Sequence, residues 1–325
     1  MRKMKTIAAL LALGLAAPAS AAEKITYLTS WRAQAEHGGY YQAVAKNFYG
    51  ECGLDVTLRQ GGPNIDGKQQ LAAGVIDMIM VTHGETLFQM NAAGFPGRAV
   101  MAIFQKNPQV LIAHAASDVT SLADMKGRPV MIGAASRTGF WTFLRAKYGF
   151  VDEQIRPYSG QLGPFLVDPK AIQQALITNE PNRILKETGE TVKVFLLADY
   201  GYPSYASLTV APQKLIDTKP QVVQCFVNAS IRGWIDFFKD PAPAVALILK
   251  DNPDNAEGVV DYAIKTMRRT GLIETAETAK YGIGAMNEER WKAHYETLAA
   301  EGAVPKDLDY RSAYTLQFVN QRYGM

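Results

Sequence analysis

The stretch TYLTSWRAQAEHGGYYQAVAKNFYGECGLDV, residues 26–56, sets Trp31, Glu36, His37, Gly38, Gly39, Tyr40 and Tyr41 into one short turn. An indole at the end of a strand can stack on a planar heterocycle for about 1–3 kcal/mol, and His37 beside it can read the polar edge of such a ring. A lone tryptophan is more often packed between helix and sheet. Its polar neighbours, and a Gly38-Gly39 pair that leaves backbone close to a crevice, are not explained by a core contact. Trp31, His37 and Tyr40 are therefore candidate ligand contacts, and Tyr41 is expected to pack inward with Val44 and Phe48.

Three further turns could complete a site. RQGGPNIDGKQQLAAG offers Gly62 and Asn64 before a helix, where backbone N–H groups can cradle a polar group, or where Asn64 or Asp66 simply caps the helix. VMIGAASRTGFWTF supplies Ser136, Arg137 and Thr138 at an expected helix N-terminus, the best anion site in the chain, unless a hydroxyl is only the cap and Arg137 points to water. Glu180-Pro181 follows AIQQALITN, read as an amphipathic helix, and a carboxylate facing a cleft there accepts hydrogen bonds from ligand amino groups. DYGYPSYASLTVAP then returns Tyr200, Tyr202, Tyr205 and Ser207, with Tyr205 a candidate contact.

Catalytic templates fail: there is no Gly-x-Ser-x-Gly elbow, P-loop, strand-borne Gly-x-Gly-x-x-Gly or convincing Ser-His-Asp set. No catalytic residue, cofactor or metal is expected, since His37, His83, His114 and His294 are scattered without ligand spacing. Cys52 and Cys225 could form one disulfide in an exported chain, or serve as two free core cysteines.

The elements that must position these groups alternate. Strand-like runs KITYLTS, LDVTLRQ, VIDMIMV, AVMAIFQ, VLIAHAA, RPVMIGA and VKVFLLA are separated by helical spacing over 41–48, 65–73, 85–93, 140–148 and 170–177, which indicates an α/β sheet. From Pro220 onward helix follows helix, with Val223, Phe226, Val227, Ile231, Trp234 and Phe238 as a core-facing stripe. Ligands of open α/β sheets bind beyond the carboxyl ends of the strands, and the turns above sit at such ends.

Composition fits an ordinary globular protein: 325 residues, 48% hydrophobic and 20% charged, long enough for two domains. Residues 1–21 carry Arg2, Lys3 and Lys5, an apolar run from Ile7 to Ala17 and a small-residue end at Ala19-Ser20-Ala21, the pattern of a secretory signal peptide cleaved near Ala21. The 34 Lys and Arg less those three balance the 31 Asp and Glu, so the mature chain is formally neutral and has no basic footprint for nucleic acid or acidic membrane.

These motifs resemble the periplasmic substrate-binding proteins of ABC importers for nitrate, sulfonates, taurine and thiamine pyrimidine precursors. The likeness runs over nearly the whole mature chain, through W…EHGGYYQAVAKNFYGECGLDVTLRQGG, QQLAAGVIDMIMV, SLADMKGRPVMIG, QQALITNEP and YPSYASLTV in that order. It implies an α/β, two-lobed periplasmic binding protein fold of type II with two inter-lobe crossings and a helical C-terminal tail. Lobe one would comprise 22–113 and 211–325, lobe two 114–210, with crossings near LIAHAAS and SLTVAP. It further implies a monomer in the periplasm that traps a small molecule and hands it to an inner-membrane permease driven by a cytoplasmic ATPase. The aminopyrimidine-binding branch shares a Trp after the first strand and a Glu-Pro in the second lobe, matched here by Trp31 and Glu180-Pro181. The polar ASRTGFW turn suits a sulfonate, taurine or carboxylate equally well. A relative that makes the thiamine pyrimidine on this fold uses pyridoxal phosphate and a cysteine-rich motif with iron, which two distant cysteines do not match. A sensor or adhesion module on the same lobes is a third reading.

Overall fold

The computed structural model describes residues 21–62, 65–95, 97–255 and 258–324. Residues 1–20 of the expected leader 1–21, and Asn64, lie outside the described residues. Among the described residues ten strands are formed: β1 (Glu23–Leu28), β2 (Leu54–Arg59), β3 (Met78–His83), β4 (Gly97–Phe104), β5 (Gln109–His114), β6 (Val130–Ile132), β7 (Ile155–Pro157), β8 (Ile172–Leu176), β9 (Val192–Leu196) and β10 (Ala206–Pro212). Between and after them run α1 (Gly38–Ala45), α2 (Gly67–Ala72), α3 (Glu85–Ala92), α4 (Phe140–Tyr148), α5 (Gly163–Val167), α6 (Glu180–Thr188), α7 (Gln213–Thr218), α8 (Pro220–Lys239), α9 (Ala242–Asp251), α10 (Val259–Thr270), α11 (Ala276–Tyr281) and α12 (Glu288–Ala300).

The strands make two five-stranded sheets, ordered β2-β1-β3-β10-β4 and β7-β6-β8-β5-β9. In the first, β1 is parallel to β2 and β3, and β10 runs antiparallel between β3 and β4. The chain therefore crosses between lobes twice, from β4 to β5 and from β9 to β10. Both crossings lie upstream of the expected boundaries at 113/114 and 210/211. LIAHAA and SLTVAP, taken as connectors, are largely strand: β5 is paired on both sides by β8 and β9, and β10 by β3 and β4. Apolar β-branched runs bury themselves in the middle of sheets, and the shorter polar segments outside them become the connectors.

A second difference concerns 170–177. Its helical spacing loses to pairing with β5 and β6, and β8 forms there, so Glu180 opens α6 instead of following a helix. Tertiary pairing overrides local periodicity in a short apolar run.

The helical tail packs back onto the first lobe. The stripe read on α8 is observed: Val223, Phe226, Val227, Ile231 and Trp234 are buried, with Phe237 added and Phe238 partly covered. This face meets α1 so closely that a methyl built on Gly38 would enter the Phe237 ring, one on Gly39 the Trp234 indole, and one on Gly233 the carbonyl oxygen of Gly39. The glycine pair is thus set by helix–helix approach, not by a crevice. Gly233→Ala is expected to force α1 and α8 apart and cost about 3 kcal/mol, the upper end for overpacking, because the obstacle is backbone. A urea melt showing a loss below about 1 kcal/mol would contradict this contact.

Cys52 and Cys225 are joined in a disulfide that fastens the loop before β2 to α8. Among the described residues no helix is long and apolar enough to cross a membrane.

Candidate ligand-binding cleft

The carboxyl ends of β1, β2 and β3 open onto a cavity of about 530 Å³ floored by Ser30, Gly61, Gly62, Met80, Thr82 and Thr86, with Asp66 and Lys68 at its side. Gly62 thus lines a cavity. Gly61 is needed for close approach: its N–H donates to the Trp31 carbonyl at 3.2 Å, and a side chain would strike the Thr29 carbonyl. Asp66 caps α2 by accepting from the Gln69 N–H at 3.0 Å.

A second cavity, about 400 Å³, lies on the other side of the Ser30-Trp31 link and joins both lobes. Trp31 and Gln34 border it from the first lobe, Asn179, Asn182, Arg183 and Lys186 from α6 of the second, and Asn252, Asp254 and Asn255 from the tail. Trp31 is 44% exposed, unusual for a tryptophan, and shares the lining of this cavity with carboxamides that can each donate and accept. Its loop is held in place: Thr29 Oγ1 donates to the Trp31 carbonyl at 2.7 Å, and Asn252 and Asn255 donate to the Ala33 carbonyl at 2.9 and 2.6 Å. Arg32 pairs with Asp254 at 3.2 Å. The exposed ring therefore sits on a pre-organised support.

Between the two lobes is a small chamber of about 40 Å³, with Gln34, Glu36, Thr178, Asn179 and Asn255 as its polar lining and Ala35, Val259, Val260 and Ala263 as its apolar side. Thr178 Oγ1 donates to Glu36 Oε1, a bond that joins opposite walls. Burial raises the Glu36 carboxyl above its ordinary range, and the nearby Glu180 adds to this despite the Thr178 bond. Glu36 was legible only as one polar group in a crowded turn, since no spacing marks it as the residue that reaches the other lobe.

The remaining candidates are dispersed. Glu180 turns into its own lobe, accepting from the Leu176 N–H at 2.7 Å and the Tyr158 hydroxyl at 3.2 Å, and burial raises its carboxyl. His37 is fully buried behind Ser30, whose Oγ is 3.5 Å from Nε2, and burial drives its pKa down to about 3. As a neutral ring it supports the cavity floor.

Two tyrosines are corrected as ligand contacts. Tyr40 is wholly buried among Tyr27, Phe226 and Trp234, with its hydroxyl 2.8 Å from Thr209 Oγ1, because α1 turns that face toward α8. Tyr205 lies under the tail: its hydroxyl donates to Glu277 at 2.9 Å, accepts from the Asn287 N–H at 3.0 Å, and Arg290 covers its ring. Tyr41 packs inward as expected, its hydroxyl donating to Asp251 at 2.9 Å.

The Ser136–Thr138 turn is a 3-10 segment, Ala134–Thr138, divided from α4 by Gly139. Ser136 is buried, while Arg137 and Thr138 are exposed. The Ser136 and Gly139 N–H groups are spent on the Gly133 and Ser136 carbonyls, which leaves fewer donors for an anion than a bare helix start would. Among the described residues no His, Cys, Asp and Glu group could hold a metal ion.

Two sheets crossed twice by the chain, with a cleft at the strand ends and side chains from both walls, define the two-lobed periplasmic binding protein fold of type II. The chain belongs to the NMT1/THI5-like family, whose model matches residues 34–244. It is 26% identical over 316 residues, 94% of this chain and 89% of its relative, to the riboflavin-binding protein RibY of Chloroflexus aurantiacus. It is 22% identical over 330 residues, 97% of this chain and 99% of the relative, to a formylaminopyrimidine-binding protein of Halalkalibacterium halodurans. The periplasmic aliphatic sulphonate binding protein SsuA from Escherichia coli has the same fold, with a TM-score of 0.67 at 15% identity over 90% of this chain and 92% of that one.

Proposed function

We propose that this chain is the exported solute-binding component of an ABC importer, capturing a small planar nitrogen heterocycle between its lobes for delivery to a membrane permease. The single observation that carries the ligand class is the exposed Trp31, fixed by its own loop and lining one cavity with carboxamides of both lobes. An aromatic wall offers stacking to any flat ring, and amides read its mixed donors and acceptors. Contacts from both lobes also give the ligand higher affinity for the closed form, which is what makes binding drive closure. The two relatives named for riboflavin and formylaminopyrimidine support a ring of this kind.

A binding role is favoured over catalysis, although a desulfurization enzyme, DSZB, has a similar fold with a TM-score of 0.59. Both cysteines of this chain are in the disulfide, so thiol chemistry has no free sulfur to use. The protein acts as a monomer, and the leader of residues 1–21 directs it to the periplasm before removal.

A thermal-shift screen of the mature protein against aminopyrimidines, flavins, alkanesulfonates, taurine and nitrate tests this reading. A ligand at about 100 times its Kd stabilises the fold by about 2.7 kcal/mol. Trp31→Ala is expected to weaken the heterocycle that binds by about 10- to 100-fold, the equivalent of one lost stacking contact. A hit confined to sulfonates and insensitive to Trp31→Ala would overturn the assignment and move recognition to the Ser136–Thr138 turn.

A further inference from the structure

Glu36 stands on the first-lobe turn, yet its carboxylate is bonded to Thr178 of the second lobe. Resting on the proposal that the ligand sits between the lobes, this contact has a consequence for which ligands fit. The chamber that Glu36 and Thr178 line shares Gln34, Asn179 and Asn255 with the larger cavity at Trp31, so the two adjoin and these three side chains form the wall between them. The chamber's volume of about 40 Å³ accepts a water or two, or one small substituent of a ring lying against the indole.

The chemistry of that chamber is one-sided. Among the described residues its one charged lining group is the Glu36 carboxylate, an acceptor with several lone-pair sites, and the Thr178 hydroxyl donates to it from across the cleft. The cations nearby, Arg183 and Lys186, line the outer cavity instead. A buried carboxylate short of donors is costly, and a hydrogen bond to a charged group recovers more than a neutral one does. An anionic substituent would meet the like charge of the carboxylate, whereas an N–H donor would pair with it.

We infer that Glu36 is the specificity-determining acceptor of the cleft, taking an N–H donor from an amino- or amidine-substituted ring beside or in place of the Thr178 hydroxyl. Recognition and lobe contact then use one carboxylate: the open form leaves it to water, and the closed form gives it Thr178 and the ligand together. Glu180, held within its own lobe, shapes this chamber from behind without touching the ligand.

The test uses the mature protein and two probes that differ at one position, 4-amino-5-hydroxymethyl-2-methylpyrimidine and its 4-oxo counterpart, titrated calorimetrically alongside riboflavin. The wild type is expected to bind the amino probe at least about tenfold more tightly than the oxo probe, the low end for a hydrogen bond to a charged group. Glu36→Gln, which can donate as well as accept, should reduce that ratio to about threefold or less, with a melt confirming that it folds. Thr178→Val should weaken both probes and keep the ratio, so the inference remains testable if the Glu36 variant does not fold. Equal binding of the two probes by the wild type, or a ratio unchanged in Glu36→Gln, overturns the role of Glu36. Riboflavin binding that is lost in Trp31→Ala would then leave the stacking proposal standing, and binding of none of the three would overturn both.

Discussion

The mature protein carrying Cys52→Ala and Cys225→Ala is expected to melt about 5–6 °C below the wild type, from a loss of about 3–4 kcal/mol. The bond closes a loop of 173 residues that contains the whole second lobe, and at that length the chain-entropy account allows about 5 kcal/mol. The lower figure is expected because the same two segments are already held without sulfur. Tyr49 shares a hydrogen bond of 2.8 Å with Ser230, Glu51 pairs with Arg232, and Arg232 lies over the Phe48 ring. Cys52 is exposed, so a thiol reductant should reach the bond and give the same shift in the wild type. A calorimetric difference under about 3 °C would mean that these other contacts constrain the ends as fully as the bond does.

Acid is expected to destabilise the ligand-free protein well before its surface carboxylates titrate. His37 and His294 are both buried, and burial lowers them from the ordinary 6.5 to about 3 and about 4. Glu85, 3.5 Å from the His294 ring, opposes that fall, while Arg290 and His83 reinforce it. A folded pKa below the unfolded one means that the unfolded chain binds the proton first. The stabilisation is therefore complete above pH 6.5 and is lost as pH falls toward the folded values. Each ring should contribute a loss of about 2 kcal/mol between pH 7 and pH 5. Glu36 and Glu180, raised by burial, work in the opposite direction and offset part of it. Denaturant melts at the two pH values should show the difference shrinking by about 2 kcal/mol in His37→Gln. An unchanged slope would place that ring in water.

Trp31, Gly62 and the alternation of strands and helices were legible because each is a local matter: a residue type at a strand end, a glycine before a helix, a period of two or of about three and a half. So was the helical tail, whose α8 stripe needs only its own spacing. Tyr40 and Tyr205 were misjudged for a different reason. Both lie near strand ends, where a ligand contact is plausible, but which way each side chain turns depends on α8 and on the tail, 72 or more residues away. The Gly38-Gly39 pair is of the same kind, since its partners are Phe237, Trp234 and Gly233.

The sequence alone determined the class of fold and placed Trp31 on a turn at a strand end, because propensity, periodicity and turn chemistry are written within a few residues. Only the tertiary structure decided that β5 and β10 are central strands, that the two cysteines meet, that Glu180 is held by its own lobe and that Glu36 reaches across to Thr178. Those outcomes depend on which distant surfaces come together, and burial decides that by summing over the whole chain.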